Sequence, residues 1–338
     1  MQKFVIVGFG FMGITHALSI MNHPGAQLLA IVDLDPEKAL ENLGEEAGNL
    51  DTGALTKEDV SAVRTYTSFE KCIAEENPDA CILAVHTDLH YSMALQALEA
   101  GIHVFVEKPL VLDLSEGEKL IGLASERNLL LMVGHVLRFM PPYMKLKHWI
   151  ESGEFGKLNW LSMTRFTGLP AWGQWKEKQK EFGSSGGALF DLAIHDIDYA
   201  QWVLGKPDSI EAYTLPGKLS SHDYVCALWK YKSGPDVKIE GGTRFHYQFP
   251  FEAGFSANFE KASIKYCSSS PEHITIASDS DIIQVPAGDA MEAYADELAY
   301  FIDCLDRKGR PEKCLPESSL QSIRLCYEHL EDQASHEC

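Results

Sequence analysis

The chain has 338 residues, 45% of them hydrophobic and 23% charged, which is the balance of a soluble globular protein with room for two domains. Its formal net charge of −20 argues against a nucleic-acid backbone or an anionic membrane as partner. No apolar run approaches a membrane span, and "MQKFVIVGFG" enters a strand with no basic region and apolar core before it, so no signal peptide is expected.

"FVIVGFGFMG" reads as a buried strand running into a glycine turn, followed by the helix "GITHALSIMNH". "LLAIVDLD" is a second strand, and "ACILAVH", "HVFVEKP" and "LLLMVGH" are three more. The stretches between them, from "DPEKALENLGEEAG" to "LSEGEKLIGLASERN", are amphipathic. Continuous apolar strands alternating with such helices predict a parallel sheet covered on both faces, over residues 1–136.

Residues 137–338 read as an α+β domain whose sheet is largely antiparallel and open on one face. Its strands are "KLNWLSMTRFTGL", "DSIEAYTL", "HDYVCALWKYKSG", "DVKIEGGTRFHY", "AGFSANFEKASIKYC" and "HITIASDSDIIQV". "GGALFDLAIHDIDYAQWVLG" is a strong helix, and two amphipathic helices close the chain. One helix layer covers one face of such a sheet, so the apolar set on strands such as "YVCALWKY" predicts that the open face is covered by a second copy, as a homodimer or homotetramer. The eight cysteines are scattered and form no CxxC, which reads as reduced thiols in a cytoplasmic protein, with no metal site.

Gly8, Gly10 and Gly13 form a GxGxxG between a strand and a helix, and Asp33 ends the next strand. Gly8 allows the tight turn, Gly10 lets the backbone approach a pyrophosphate, and Gly13 lets helix and strand pack closely. Phe11 and Met12 open the helix, whose free N–H groups suit phosphates. Asp33 can accept from a ribose diol and repels a 2′-phosphate, and the following Leu34 brings no neutralising cation. NAD is therefore expected over NADP. In the second half, Asp191 and His195 are four apart on one helix face, with Asp198 on the same stripe. A histidine beside a carboxylate suits a proton acceptor, and a surface ion pair has the same spacing. Lys108 closes a strand of the first half in "VFVEKPLVL", where residues face the cofactor crevice. A solvated lysine at a strand end is the alternative.

Taken in order, "GFGFMG", "HTDLHYSMALQALEAGIHVFVEKPL", "GHVLRFMPPY", "SSGGALFDLAIHDIDYAQWVLG" and "FIDCLDRKGRPEKCLPESSLQSIRL" resemble the glucose–fructose oxidoreductase / inositol dehydrogenase / rhizopine catabolism (Gfo/Idh/MocA) family. The resemblance covers nearly the whole chain. It implies a Rossmann domain followed by a substrate-binding and oligomerisation domain. Lys108 matches the family's active-site lysine, which touches substrate hydroxyl and nicotinamide. Asp191 and His195 match its catalytic pair, Arg138 an arginine near the site entrance, and Thr87 and His90 the start of the cofactor-side helix. Where the family often has Thr-Pro-Asn, this chain has Thr87-Asp88-Leu89. Glu107 is expected to support the cofactor side of the site.

The implied activity is reversible hydride transfer between the nicotinamide and a secondary alcohol of a sugar or polyol. The alternatives of the same fold are NAD-dependent glycoside cleavage and a non-catalytic sugar-sensing regulator. The stretch "TGLPAWGQWKEKQKEFGSSGG" is expected to cover the substrate, with Trp172 and Trp175 stacking on a sugar face and Lys176, Lys178 and Lys180 meeting acidic groups.

Overall fold

Two units, each with its own core, make up the computed structural model, which describes residues 1–41, 43, 55–169 and 186–336. The first unit contains Met1–His135 and a returning segment, Tyr294–Leu320; the second contains Val136–Ala293 and the chain from Gln321 on. The return corrects the division at 136/137: part of the C-terminal helical region belongs to the first unit. The physical reason is packing. Phe301 sets its ring edge against Phe4 at 6.3 Å and Phe105 at 5.7 Å in the first unit's core.

In the first unit six strands are hydrogen-bonded in the order β3-β2-β1-β4-β5-β6, all parallel. They are β1 (Gln2–Val7), β2 (Ala26–Val32), β3 (Arg64–Tyr66), β4 (Ala80–Leu83), β5 (His103–Glu107) and β6 (Leu131–Gly134). Every residue of β4 and β6 is buried, as expected where helices cover both faces. The helices are α1 (Phe11–Asn22), α2 (Pro36–Glu41), α3 (Phe69–Glu76), α4 (Thr87–Glu99), α5 (Leu114–Glu126) and, beyond the second unit's sheet, α8 (Glu292–Asp306). The strand order reverses between β1 and β4, which is where a doubly wound sheet opens a crevice for ligand.

The helix starts divide by capping. Ser68 accepts from the Lys71 N–H at the start of α3, and Asp113 from the Ser115 N–H at the start of α5. Gly10 and His86, at the starts of α1 and α4, offer no side-chain cap. These two uncapped N-termini follow the two strands at the switch point. Their backbone N–H groups and positive dipole ends are left available to an anion.

In the second unit, α6 (Pro141–Ser152) and α7 (Ile194–Leu204) accompany an eight-stranded sheet ordered β14-β13-β12-β11-β7-β10-β9-β8. Its central strands are β7 (Leu158–Gly168), β10 (Asp236–Phe245) and β11 (Glu252–Phe259). On one side lie β9 (Tyr224–Lys230) and β8 (Ser209–Leu215). On the other lie β12 (Ser263–Cys267), β13 (His273–Ala277) and β14 (Ile282–Pro286). Pairing is antiparallel except between β7 and β10.

One row of side chains is buried: Leu161, Met163, Val225, Ala227, Trp229, Ile239 and Phe255. Val225, Ala227 and Trp229 are the fully buried half of the apolar residues in "YVCALWKY". The Trp229 indole N–H donates to His329 Nε2 at 3.1 Å, on the closing helix α9 (Pro316–His336), so this set faces the unit's own helices. Leu228 of the same strand lies in the opposite row, on the face expected to meet a second copy. The opposite row, including Ser162, Thr164, Lys238, Glu240 and Ser256, is largely polar and half-buried to exposed.

Candidate active site

The glycine turn after β1 meets the demands of a dinucleotide. Gly8 has φ +87°, and a Cβ on it would lie 2.5 Å from the Ala84 carbonyl oxygen. A Cβ on Gly13 would lie 2.1 Å from the Gly8 carbonyl oxygen, so helix and turn touch backbone to backbone. A Cβ on Gly10 meets nothing within 4 Å, and the space before the uncapped start of α1 is open for a pyrophosphate. Phe11 and Met12 form the first turn beside it, both half-buried.

Asp33 is fixed to this turn. One carboxylate oxygen accepts from the Phe9 N–H at 2.8 Å and the other from the Asp35 N–H at 3.1 Å. A carboxylate has about four acceptor positions, so two remain for ribose hydroxyls. Leu34 is 90% exposed and uncharged, and no cation stands beside it in the chain to balance a 2′-phosphate. The residues present fit NAD.

Helix α4 starts at Thr87 without the proline of the family pattern, and Thr87 is nearly buried. His90 is buried, with Nδ1 2.8 Å from the Pro109 carbonyl and Nε2 3.1 Å from the Val85 carbonyl. Burial pulls its pKa below the ordinary histidine range, against the carbonyls that favour the charged ring. The ring is therefore engaged with the turn around Lys108. Glu107 ends β5, and His16 Nε2 donates to its Oε1 at 2.7 Å. Burial opposes the charge on Glu107, but His16, Lys108 and His90 together outweigh it and hold the carboxyl below the usual carboxylate range. Lys108 is the first residue past the strand, joined to Pro109 by a cis peptide bond.

In the second unit, Asp191 and His195 lie on the helix that follows Gly186 and Gly187. Its first turn, Leu189–Ala193, is a π-turn, a wider geometry that recurs at functional sites. From residue 188 to 200 only Asp191, Leu192 and His195 are partly exposed. The stripe proposed from sequence divides here, because Asp198 is buried. It accepts from Arg138 Nε at 2.8 Å and Nη2 at 2.6 Å, and from the Ser322 hydroxyl at 2.8 Å. Arg138 is only 1% exposed. This corrects its placement at a substrate entrance, since the bidentate geometry commits its guanidinium to Asp198.

A second pair, absent from the sequence reading, stands beside the first. Arg165 on β7 donates to Asp196 from Nε at 2.8 Å and Nη2 at 3.1 Å, both residues buried. Burial pushes the Asp196 carboxyl up, and Arg165 pulls it back only in part. A sequence signal was available: Arg165 is in phase with inward-facing Leu161 and Met163. The two pairs fix the rotation of α7 and leave Asp191 and His195 on its accessible side. Trp172, Trp175, Lys176, Lys178 and Lys180 lie outside the described residues. Among the described residues, no group of three or more His, Cys, Asp and Glu side chains is placed to hold a metal ion, and no helix is long and apolar enough to cross a membrane.

A glycine turn, an acid ending the second strand and two uncapped helices at the switch point define a dinucleotide-binding domain. Residues 2–135 match the model "Oxidoreductase family, NAD-binding Rossmann fold", and residues 143–265 match "GFO/IDH/MocA C-terminal domain". The chain belongs to the Gfo/Idh/MocA family of NAD-binding oxidoreductases. Among its relatives, inositol 2-dehydrogenase of Rhizobium meliloti is 27% identical over 90% of this chain and 89% of its own. The scyllo-inositol 2-dehydrogenase (NAD(+)) of Bacillus subtilis is 28% identical over 90% of this chain and 86% of its own. Among solved structures, a levoglucosan dehydrogenase in complex with NADH and levoglucosan superposes with a TM-score of 0.81 at 19% identity, over 99% of this chain and 97% of the other, a likeness of fold.

Proposed function

We propose that the enzyme transfers a hydride between NAD and a secondary alcohol carbon of a sugar or polyol, with Lys108, Asp191 and His195 as its catalytic residues. The observation that carries this reading is the selective exposure of Asp191 and His195 on a helix whose other acids are neutralised by buried arginines. Bound NAD supplies the hydride acceptor. His195 takes the hydroxyl proton as the C–H bond breaks, and Asp191 orients its ring. The Lys108 ammonium hydrogen-bonds the reacting oxygen and stabilises the negative charge that develops on it. The inositol dehydrogenases among the relatives support a polyol as substrate.

The test is a panel of polyols and sugars followed by NADH absorbance, then Lys108→Ala and His195→Asn on the substrate found. Lys108→Ala should lower kcat and kcat/KM together by roughly 100-fold or more, with NAD binding unchanged. His195→Asn should also remove the limb of the pH profile that reports the proton acceptor. Retention of kcat/KM within about threefold by Lys108→Ala, about 0.7 kcal/mol, would end the assignment. Glycoside cleavage without net NADH would point to the other chemistry of this fold.

We also propose a cytoplasmic homodimer or homotetramer. The seven cysteines among the described residues form no disulfide, which accords with a reducing compartment. The eight-stranded sheet has an open face with half-buried Leu228, Phe166 and Trp160 among its polar residues, which supports self-association. A monomer mass by light scattering at micromolar concentration would contradict the oligomer.

A further inference from the structure

We infer that His16 and His90 are positioning residues that brace Lys108 from both sides, one through Glu107 and the other through Pro109. The inference rests on Lys108 being catalytic. The two helices with uncapped starts at the switch point, α1 and α4, each contribute one buried histidine from their N-terminal halves. His16 Nε2 reaches Glu107 Oε1 at 2.7 Å, and His90 Nδ1 reaches the Pro109 carbonyl at 2.8 Å. Glu107 and Pro109 are the residues immediately before and after Lys108.

The surroundings fix both contacts. The His16 ring meets Phe105 edge-to-face at 5.0 Å, which limits its rotation. Gly134 pairs with Glu107 across the sheet, and a Cβ there would lie 3.3 Å from Glu107 Oε1 and 3.2 Å from the Phe105 ring. A side chain at 134 would therefore press on the Glu107 carboxylate and the Phe105 ring, and glycine leaves them their place. His90 is fully enclosed, with Val85 at its second nitrogen. Neither histidine needs to touch substrate in this arrangement. Each hydrogen-bonds a group within one residue of Lys108, so the loss of either frees one side of the turn carrying the ammonium. A lysine displaced by about 1 Å from the reacting oxygen loses much of its effect on the transition state.

Side-chain geometry supplies the controls. The amide nitrogen of glutamine reproduces the reach of Nε2, and that of asparagine the reach of Nδ1. His16→Leu and His90→Leu should each lower kcat at least tenfold, with NAD affinity unchanged within about threefold. His16→Gln and His90→Asn should recover most of the loss. In a Lys108→Ala background, His16→Leu and His90→Leu should have no further effect on the residual rate. A second measurement needs no substrate: reductive ¹³C-methylation of the lysines, with the Lys108 signal assigned by its loss in Lys108→Arg. That signal should move in His16→Leu and return in His16→Gln.

Several results would overturn the brace. One is wild-type kcat and an unmoved Lys108 resonance in both leucine variants. Another is an equal loss of rate with and without Lys108. If leucine prevents folding, failure of His16→Gln or His90→Asn to retain kcat within about threefold, with folding and NAD binding intact, overturns it equally. An active Lys108→Ala enzyme sinks the catalytic reading instead, and the methyl resonance still decides whether the histidines hold the turn.

Discussion

Arg138→Leu separates a buried structural arginine from a substrate-binding one. In the wild type both partners of the Arg138–Asp198 pair are 1% exposed, and two charge-assisted bonds of 2.8 and 2.6 Å join them. Leucine leaves the Asp198 carboxylate buried without its guanidinium, with the Ser322 hydroxyl still donating to it. Breaking one side of a buried pair costs about 3–5 kcal/mol, because the other charge stays desolvated. For a unit of this size each kcal/mol is worth roughly 2–4 °C, so its melting temperature should fall by roughly 6–20 °C. Replacing both partners, as in Arg138→Leu with Asp198→Leu, should recover much of that loss, since no charge is then left uncompensated.

Tryptophan fluorescence in urea reads this out selectively. All six tryptophans of the chain lie between residues 149 and 229, in the sequence range of the second unit, and the Arg138 guanidinium sits 5.4 Å from the Trp202 ring centre. The transition of the variant should move to lower urea, with NAD binding by the first unit retained. A variant as stable as wild type to within about 0.5 kcal/mol, with a raised KM, would refute the burial argument and return Arg138 to the substrate.

The glycine turn gives a contrasting pair. Gly10→Ala places its methyl in open space, so the protein should fold with wild-type stability and lose NAD affinity at least tenfold in a fluorescence titration, whereas Gly13→Ala should lower the melting temperature because its Cβ meets the Gly8 carbonyl. Stability of the first unit should also fall with acid in two windows. His90, with its folded pKa depressed, contributes fully above about pH 6.5 and loses that contribution as pH falls through its folded value. Glu107, also depressed, contributes fully above about pH 4.5 and loses it at lower pH. Urea unfolding of the first unit, followed by hydrogen exchange across the pH range, should show a shallower dependence in Glu107→Gln below about pH 5; an unchanged slope there contradicts the assignment.

Local signals were legible in the sequence and long-range ones were not. The glycine turn, Asp33 and the strand before Lys108 depend on neighbours within one βα unit, where the side-chain pattern states the constraint directly. β3 escaped because "RTY" is three residues with one buried side chain, too short for a periodic pattern. The returning helix α8 escaped for a different reason. Its amphipathic period marks a buried face but not the surface that buries it, and here the edge packing of Phe301 on Phe4 and Phe105 makes that choice.

The second half of the candidate site was misread at the acids. Asp191, Asp196 and Asp198 look alike in "DLAIHDIDY", and helical spacing groups Asp198 with Asp191. Their fates differ because two arginines, 60 and 31 residues earlier in the chain, take Asp198 and Asp196 into the core. A strand with an arginine in phase with its buried leucine and methionine implies a buried carboxylate, and the nearest helix with apolar residues on every side is the place to look for it. Once those two acids are assigned to arginines, Asp191 and His195 are the ionisable residues between 188 and 200 left partly exposed, which is why the proposed chemistry is placed on them.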